Sequence, residues 1–362
     1  MTSMTPRQRV LTALDRKVPD RVPFELSYGS FTPSLMDIYV AKTGDQDPET
    51  YWNYAIRSVM FRPTPAFRLW RTYGAYYPND LPVGATIDQF GVVKVFGSTE
   101  HFGRGISPLR GAATTGEIAS YPLPDPRNPA RYAHLKNAVA SLHAQDLAAQ
   151  GELTSTIFET SWAIRGFEET LADLALNPDI VETLFDRMTD LRVIQARQMA
   201  EAGVDVLRLG DDVSGQIGML MSPAMWRRWF KPRLAKIITT AKAIKPDIHI
   251  FYHSDGDCQA IIPELVEIGV TVLNPIQPEC MDPAQIKIEF GDRLAFWGAI
   301  GTQSTMPFGT PEKVRAVVKE RIETVGKGGG FLIAPSHILE PEVPWENVIA
   351  FIEAVQEFGE YA

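Results

Sequence analysis

The sequence predicts a (β/α)8 barrel in one domain, and three observations carry that reading. First, from about residue 130 onward short apolar runs alternate with longer amphipathic stretches, the pattern of parallel β/α units. Second, the apolar runs end abruptly in polar residues, most clearly in Ile248-His249-Ile250-Phe251-Tyr252-His253-Ser254-Asp255-Gly256-Asp257. Barrel enzymes gather their chemistry at the C-terminal ends of the strands, so this is where functional side chains belong. Third, the alternation continues for more than 200 residues without a Gly-rich dinucleotide fingerprint.

The elements justify themselves in order. Residues 1–129 read as an N-terminal elaboration containing the first strand, and residues 130–362 as the regular repeats. Thr5-Pro6 opens an amphipathic helix from Arg7 to Leu14, with Pro in the first turn, where its missing N–H costs nothing. Val18-Pro19-Asp20 ends it, and Arg21-Val22-Pro23-Phe24-Glu25-Leu26 reads as the first strand. The turn Ser27-Tyr28-Gly29-Ser30 suits a pocket wall or a solvent loop, and Tyr28 is a substrate-contacting candidate. Helical patterning from Met36 to about Phe61 leads to an aromatic stretch through Phe67, Trp70, Tyr73, Tyr76 and Tyr77. These rings suit either plain packing or a lid over an apolar ligand, with Tyr76 the candidate contact. Ile87 to Val95 reads as a hairpin and Tyr121 to Pro126 as an extended connector.

The repeats begin with a helix at 131–150 and a strand at Leu153 to Phe158. A helical region broken near Asn177-Pro178 follows, and then a strand from Val204 to Leu209 ending in Gly210-Asp211-Asp212. After a helix over 223–243 come the His253 strand, strands at Val270 to Asn274 and Leu294 to Gly298, a helix over 311–324, and the strand Phe331 to Ala334 behind Gly328-Gly329-Gly330.

Composition bounds the function. The chain has 362 residues, 45% hydrophobic and 22% charged, which is ample for a large core. Its net charge of -9 carries no basic block, which argues against nucleic acid and anionic membrane as partners. No run reaches transmembrane length and the N-terminus lacks a signal-peptide core, so a cytoplasmic location is expected. The two cysteines, Cys258 and Cys280, imply no disulfide framework.

Polar residues directly after the strands are the functional candidates: Glu159, Asp211, Asp212, His253, Asp255, Asn274, Gln277, Gln303 and His337. Glu159, Asp211 and Asp212 are the acid/base candidates, although acidic residues at such places also cap helices. Asn274 and Gln303 are candidate substrate contacts by position. On a strand, His253 and Asp255 share one face, which points them together at its end.

The chain resembles the uroporphyrinogen decarboxylase superfamily, more closely its branch of cobalamin-linked methyltransferases. The likeness lies in Met4-Thr5-Pro6-Arg7-Gln8-Arg9-Val10-Leu11-Thr12-Ala13-Leu14, Arg21-Val22-Pro23, Gly203-Val204-Asp205-Val206, His253-Ser254-Asp255-Gly256, Trp297-Gly298-Ala299-Ile300, and Ala334-Pro335-Ser336-His337 with Val343-Pro344-Trp345-Glu346-Asn347-Val348. The resemblance implies a (β/α)8 barrel and a homodimer. The decarboxylases carry an Arg-Gln-Ala-Gly-Arg loop for the acetate groups of a porphyrinogen; here the region reads Ser27-Tyr28-Gly29-Ser30-Phe31-Thr32-Pro33, without that cationic clamp. The methyltransferases bind zinc through a His-x-Cys-Gly and a later Cys. On that mapping His253 is retained while Asp255 and His337 replace the two thiolates. A His-Asp-His set holds a divalent metal, with zinc the family's choice, and Cys258 is a further candidate ligand. The implied function is transfer of a methyl group between a small methylated substrate and cobalamin carried on a separate corrinoid protein. The alternatives are a decarboxylase or lyase on a small acid, using Asp211 or Asp212 for protons, and a catalytically silent binding module.

Overall fold

The computed structural model describes residues 3–26, 31–78, 80–96 and 103–361. Seven parallel strands form one curled sheet in chain order: β1 (Ile56–Val59), β2 (Ala148–Leu153), β3 (Val206–Gly210), β4 (His249–His253), β5 (Val272–Asn274), β6 (Ala295–Ile300) and β7 (Phe331–Pro335). Residues 23–26 take the eighth position. Phe24 bridges Ile333 in parallel, the Ile333 amide donates to the Pro23 carbonyl, and the Glu25 amide donates to the Ile333 carbonyl. On its other side, Phe24 packs edge-on to Tyr54, just ahead of β1, at 5.7 Å. The predicted barrel is therefore present. Its first strand is reduced to a bridge because Pro23 has no N–H to give a ladder.

Strand alternation sends Val206, Phe251, Val272, Ala295, Trp297 and Leu332 into the lumen, where they pack against Val10 and Leu14 of the helix Pro6–Leu14. That helix plugs the bottom of the barrel. Arg7 fastens it there through two hydrogen bonds to Asp205, at 2.7 and 3.1 Å, just before β3. With the lower lumen filled by apolar side chains, polar groups on the strands have space only at the upper end. No helix among the described residues is long and apolar enough to cross a membrane.

Three elements depart from the sequence reading. Strand β1 lies inside the stretch read as helical to about Phe61, whose helices are Pro33–Thr43 and Pro48–Tyr51; Asn53, at φ 55, turns the chain from helix to strand. Strand β2 precedes the expected Leu153 to Phe158. Its Ala148-Ala149-Gln150-Gly151 segment lacks β-branched residues, whereas the β-branched Thr154 and Thr156 lie in a loop around Ser155, at φ 53. The hairpin near Ile87 is a three-stranded antiparallel sheet of Thr86–Ile87, Val93–Val95 and Arg104–Ile106. The break at Asn177-Pro178 is as predicted, separating helices Phe167–Leu176 and Pro178–Ala202.

Candidate metal centre

His253 ends β4, and its ring is fixed by β5. The buried Asn274 donates from Nδ2 to the Trp297 carbonyl at 2.8 Å, and its Oδ1 lies 2.5 Å from His253 Nδ1. The Trp297 carbonyl can only accept, so the amide has one orientation, and Nδ1 of His253 must be the donor to Oδ1. His253 Nε2, the lone-pair nitrogen of that tautomer of the neutral ring, faces the mouth, 3.5 Å from Asp212 and 3.7 Å from Asp255. A lone pair opposed to two carboxylates needs a proton or a metal cation between them. A histidine held by a hydrogen bond at its other nitrogen is the usual arrangement of a metal ligand.

Asp255 follows two residues later, on a loop whose backbone is pinned from three sides. Its amide donates to Asp212 Oδ1 at 2.8 Å, its carbonyl accepts from Ser214 Oγ at 2.7 Å, and the next amide, Gly256, donates to Gln277 Oε1 at 3.0 Å. Asp255 Oδ1 is buried and makes no hydrogen bond among the described residues. Burial pushes this carboxyl up to about 6, with His253 opposing the rise and Asp212 adding to it. Buried orphan acceptors are costly unless something else pairs with them. His337 comes from beyond β7, with Nε2 3.9 Å from Asp255 Oδ2. One atom each from His253, Asp255 and His337 lies within 4.8 Å of the others, a span that a divalent ion with tetrahedral ligands can close. The residues present therefore fit the metal that the resemblance implies. Cys258 does not join them: it is fully buried in the hydrophobic core, where burial pushes its thiol up to about 12.

The other candidates separate by position. Asp211 is buried, and its oxygens accept from the amides of Ile157, Phe158 and Glu159 at 2.9 to 3.1 Å. It therefore caps the helix Phe158–Arg165, and its oxygens are committed there rather than to a substrate. Asp212 turns the other way, into the mouth. Glu159 stands in the first turn of that helix, with Oε2 accepting from the Asp212 amide at 3.2 Å and Oε1 from Ser155 Oγ at 3.2 Å. Burial, then the carboxylates of Asp212 and Asp211, raise its pKa well above the ordinary carboxyl range.

A cavity of about 540 Å³ opens over the triad, lined among others by Glu159, Trp162, Asp212, Asp255, Gln303 and His337. Gln303 is thus where its position in the sequence placed it, held by a hydrogen bond from Gln216 at 2.6 Å. Asn274 holds His253 and is not among the lining residues. Tyr76 packs edge-on to Tyr121 at 5.0 Å and lines neither this cavity nor its neighbour. Tyr73 donates to the Gln89 and Pro122 carbonyls and Tyr77 to those of Gly91 and Ile106, so for these two rings plain packing, one of the two readings of the aromatic stretch, is what the structure has. Tyr28 lies outside the described residues. Sequence reasoning passed over Trp162, Glu340 and Glu342, which line the cavity without following a recognisable strand. Only proximity to Glu159 and His337 could have drawn attention to them.

A barrel with titratable side chains from several strands clustered at its C-terminal mouth has the architecture of an enzyme. The chain belongs to the uroporphyrinogen decarboxylase family, whose model, described as Uroporphyrinogen decarboxylase (URO-D), matches residues 83–358. Among curated relatives, the methylcobamide:CoM methyltransferase MtaA of Methanosarcina barkeri is 29% identical over 180 residues, 50% of each chain. A uroporphyrinogen decarboxylase of Coxiella burnetii is 26% identical over 191 residues, 52% of this chain and 50% of that one. The chain thus spans about half the length of these relatives. A methyltransferase from Methanosarcina mazei shares the fold, with a TM-score of 0.68, 19% identity and coverage of 98% and 99% of the two chains.

Proposed function

We propose that this protein is a divalent-metal methyltransferase that moves a methyl group between a small methylated substrate and a separate corrinoid protein. The observation that carries the reading is the convergence of His253, Asp255 and His337, with His253 held in the ligating tautomer by Asn274. The similarity to MtaA supports methyl transfer over other chemistries available to the fold.

The three side chains would hold zinc or a similar ion with a coordination position left for substrate. When bound, such a metal supplies Lewis acidity to the heteroatom that carries or receives the methyl group. The chain's own residues do the rest. Asp212 fixes the Asp255 loop through its amide, and Gln303 and Trp162 bound the substrate space. Glu159, whose carboxyl burial shifts upward, stands at the cavity wall as the acid/base group for a heteroatom that loses its methyl group.

The test is elemental analysis of the purified protein beside His253→Ala and His337→Ala. The reading expects about one divalent ion per chain, lost in both variants. A wild type that stays metal-free after purification with zinc refutes it.

The upward-shifted carboxyl of Glu159 and the decarboxylases among the relatives favour a second reading, a decarboxylase or lyase on a small acid. Such an enzyme keeps its activity under chelation and loses it in Glu159→Gln.

A further inference from the structure

We propose that the substrate of this chamber is an amine or ammonium compound, and that carboxylated, sulfonated and phosphorylated compounds are excluded. The proposal rests on the reading of the mouth as a substrate site and names the class of molecule it takes. Five carboxyl side chains line the cavity over the triad, those of Glu159, Asp212, Asp255, Glu340 and Glu342, and among the described residues no lysine or arginine does. The chain has 35 such cations, so a shortage of them is not the cause.

The cations stand next door. A second cavity, of about 580 Å³, shares the Glu159 and Trp162 wall and is lined by Lys94, Arg110 and Arg192. Neither arginine is disposed to serve the chamber. Arg192 donates to the Thr156 and Ser155 carbonyls, to Thr160 Oγ1 and to Gln195. Arg110 is paired with Glu168 and Glu169 at 2.9 and 2.7 Å. An anionic substrate would therefore meet carboxylates without a compensating guanidinium, in a concave site where charge effects are focused.

A bound dication offsets two negative charges and leaves the wall acidic, which still favours a positive or neutral guest. Trp162 adds the second requirement for an ammonium ligand. Half-buried, with Phe167 edge-on at 5.6 Å, it supplies an aromatic ring beside the carboxylates. Rings and carboxylates together are the usual surroundings of alkylated ammonium groups.

Three probes of similar size separate charge from shape: tetramethylammonium, tert-butyl methyl ether and pivalate. Each is titrated calorimetrically into the full chain, zinc-loaded and after chelation, with the metal content of the same samples measured. The expected result is tetramethylammonium binding at least about tenfold tighter than the ether, and pivalate weaker than both. Glu342→Gln and Trp162→Leu should each reduce the tetramethylammonium preference by about threefold or more, without changing the metal content. The proposal is overturned if pivalate binds as tightly as the ether or more so, if tetramethylammonium has less than about a threefold advantage or does not bind, or if both variants keep the full preference. A metal-free protein that retains the preference supports the substrate class while refuting the metal centre. A zinc-loaded protein that prefers pivalate does the reverse.

Discussion

The hydrogen bond from His253 to Asn274 should control metal affinity, and Asn274→Leu isolates it. Leucine matches asparagine in shape but removes both the Oδ1 acceptor, 2.5 Å from His253 Nδ1, and the Nδ2 donor, 2.8 Å from the Trp297 carbonyl. The site is buried, so water does not replace the lost partner; an unsatisfied imidazole N–H there costs ~1–3 kcal/mol. The ring is then free to move its proton to Nε2, the atom required by the metal. Loss of such an outer partner typically lowers metal affinity about 10- to 100-fold. Asn274→Asp keeps an acceptor at the same place and should stay within about threefold of the parent. Competition with a chromophoric chelator measures the zinc dissociation constant for all three proteins, and denaturant unfolding of the metal-free forms separates stability from affinity. If the leucine variant binds zinc as the parent does while His253→Ala does not, fixation of the tautomer by Asn274 is wrong. If His253→Ala also binds normally, the triad itself is wrong.

Other outcomes follow from the same structure. Asp211→Ala should lower global stability by ~2–4 kcal/mol in urea unfolding, since it leaves two buried amides and a part-buried one at the start of the helix Phe158–Arg165 without their acceptor; a loss below ~1 kcal/mol contradicts the capping role. Glu25 is buried near Arg208 and accepts from Trp297 Nε1 at 2.9 Å, and burial pushes its carboxyl from 4.5 up to about 8. The folded state then binds the extra proton, so its stabilising contribution is complete below pH 4.5 and is lost as the pH rises to about 8. Glu25→Gln should flatten that slope, and an unchanged pH profile of unfolding refutes the assignment. Gly256→Ala should weaken zinc binding and lower Tm by several degrees: at φ 81 its Cβ would lie 2.4 Å from the Gly215 carbonyl oxygen, displacing the Asp255 loop. A variant with the parent's Tm and zinc affinity would show that loop to be compliant.

How far the sequence could be read depended on where each residue sits. The barrel was legible because parallel strands buried on both faces are largely apolar runs, most clearly β6 and β7, with β3 and β4 apolar but for Arg208 and the terminal histidines. Strands β1 and β2 were obscured because one is four residues long and follows a helix, while the other is built from alanine, glutamine and glycine. Strand ends that converge on one mouth made His253, Asp255 and His337 candidates, and the resemblance to the zinc-binding methyltransferases singled them out as a set. Asp211 and Asp212 could not be ranked in advance. Adjacent residues leave the chain in opposite directions, so one carboxyl enters the mouth and the other turns back to a helix end, and only the register of β3 decides which. Asn274 stood out by position, yet its role depends on the Trp297 carbonyl of the neighbouring strand, a contact between strands that no local pattern encodes.

The donor set and the chamber above it form one electrostatic system. A dication bound by one histidine and two thiolates, the pattern of the methyltransferases that this sequence resembles, is neutral overall; bound by His253, Asp255 and His337 it retains a positive charge and is the stronger Lewis acid. Histidine and carboxylate are also harder donors than sulfur, which would shift the preferred substrate atom of a bound metal from sulfur toward oxygen or nitrogen. The carboxyl groups of Asp212, Glu340 and Glu342 around the triad act in the same direction. They would offset the residual charge of a bound metal and so remove the attraction that would otherwise draw anions to it. Replacing Asp255 and His337 with cysteines should then do more than soften the ligands: a neutral centre would leave the carboxylates uncompensated, and preference for cationic guests should rise as Lewis acidity falls. With a metal in this site, its identity, the hardness of its ligands and the charge of the substrate would be linked, and a change made to one of them should be read in all three.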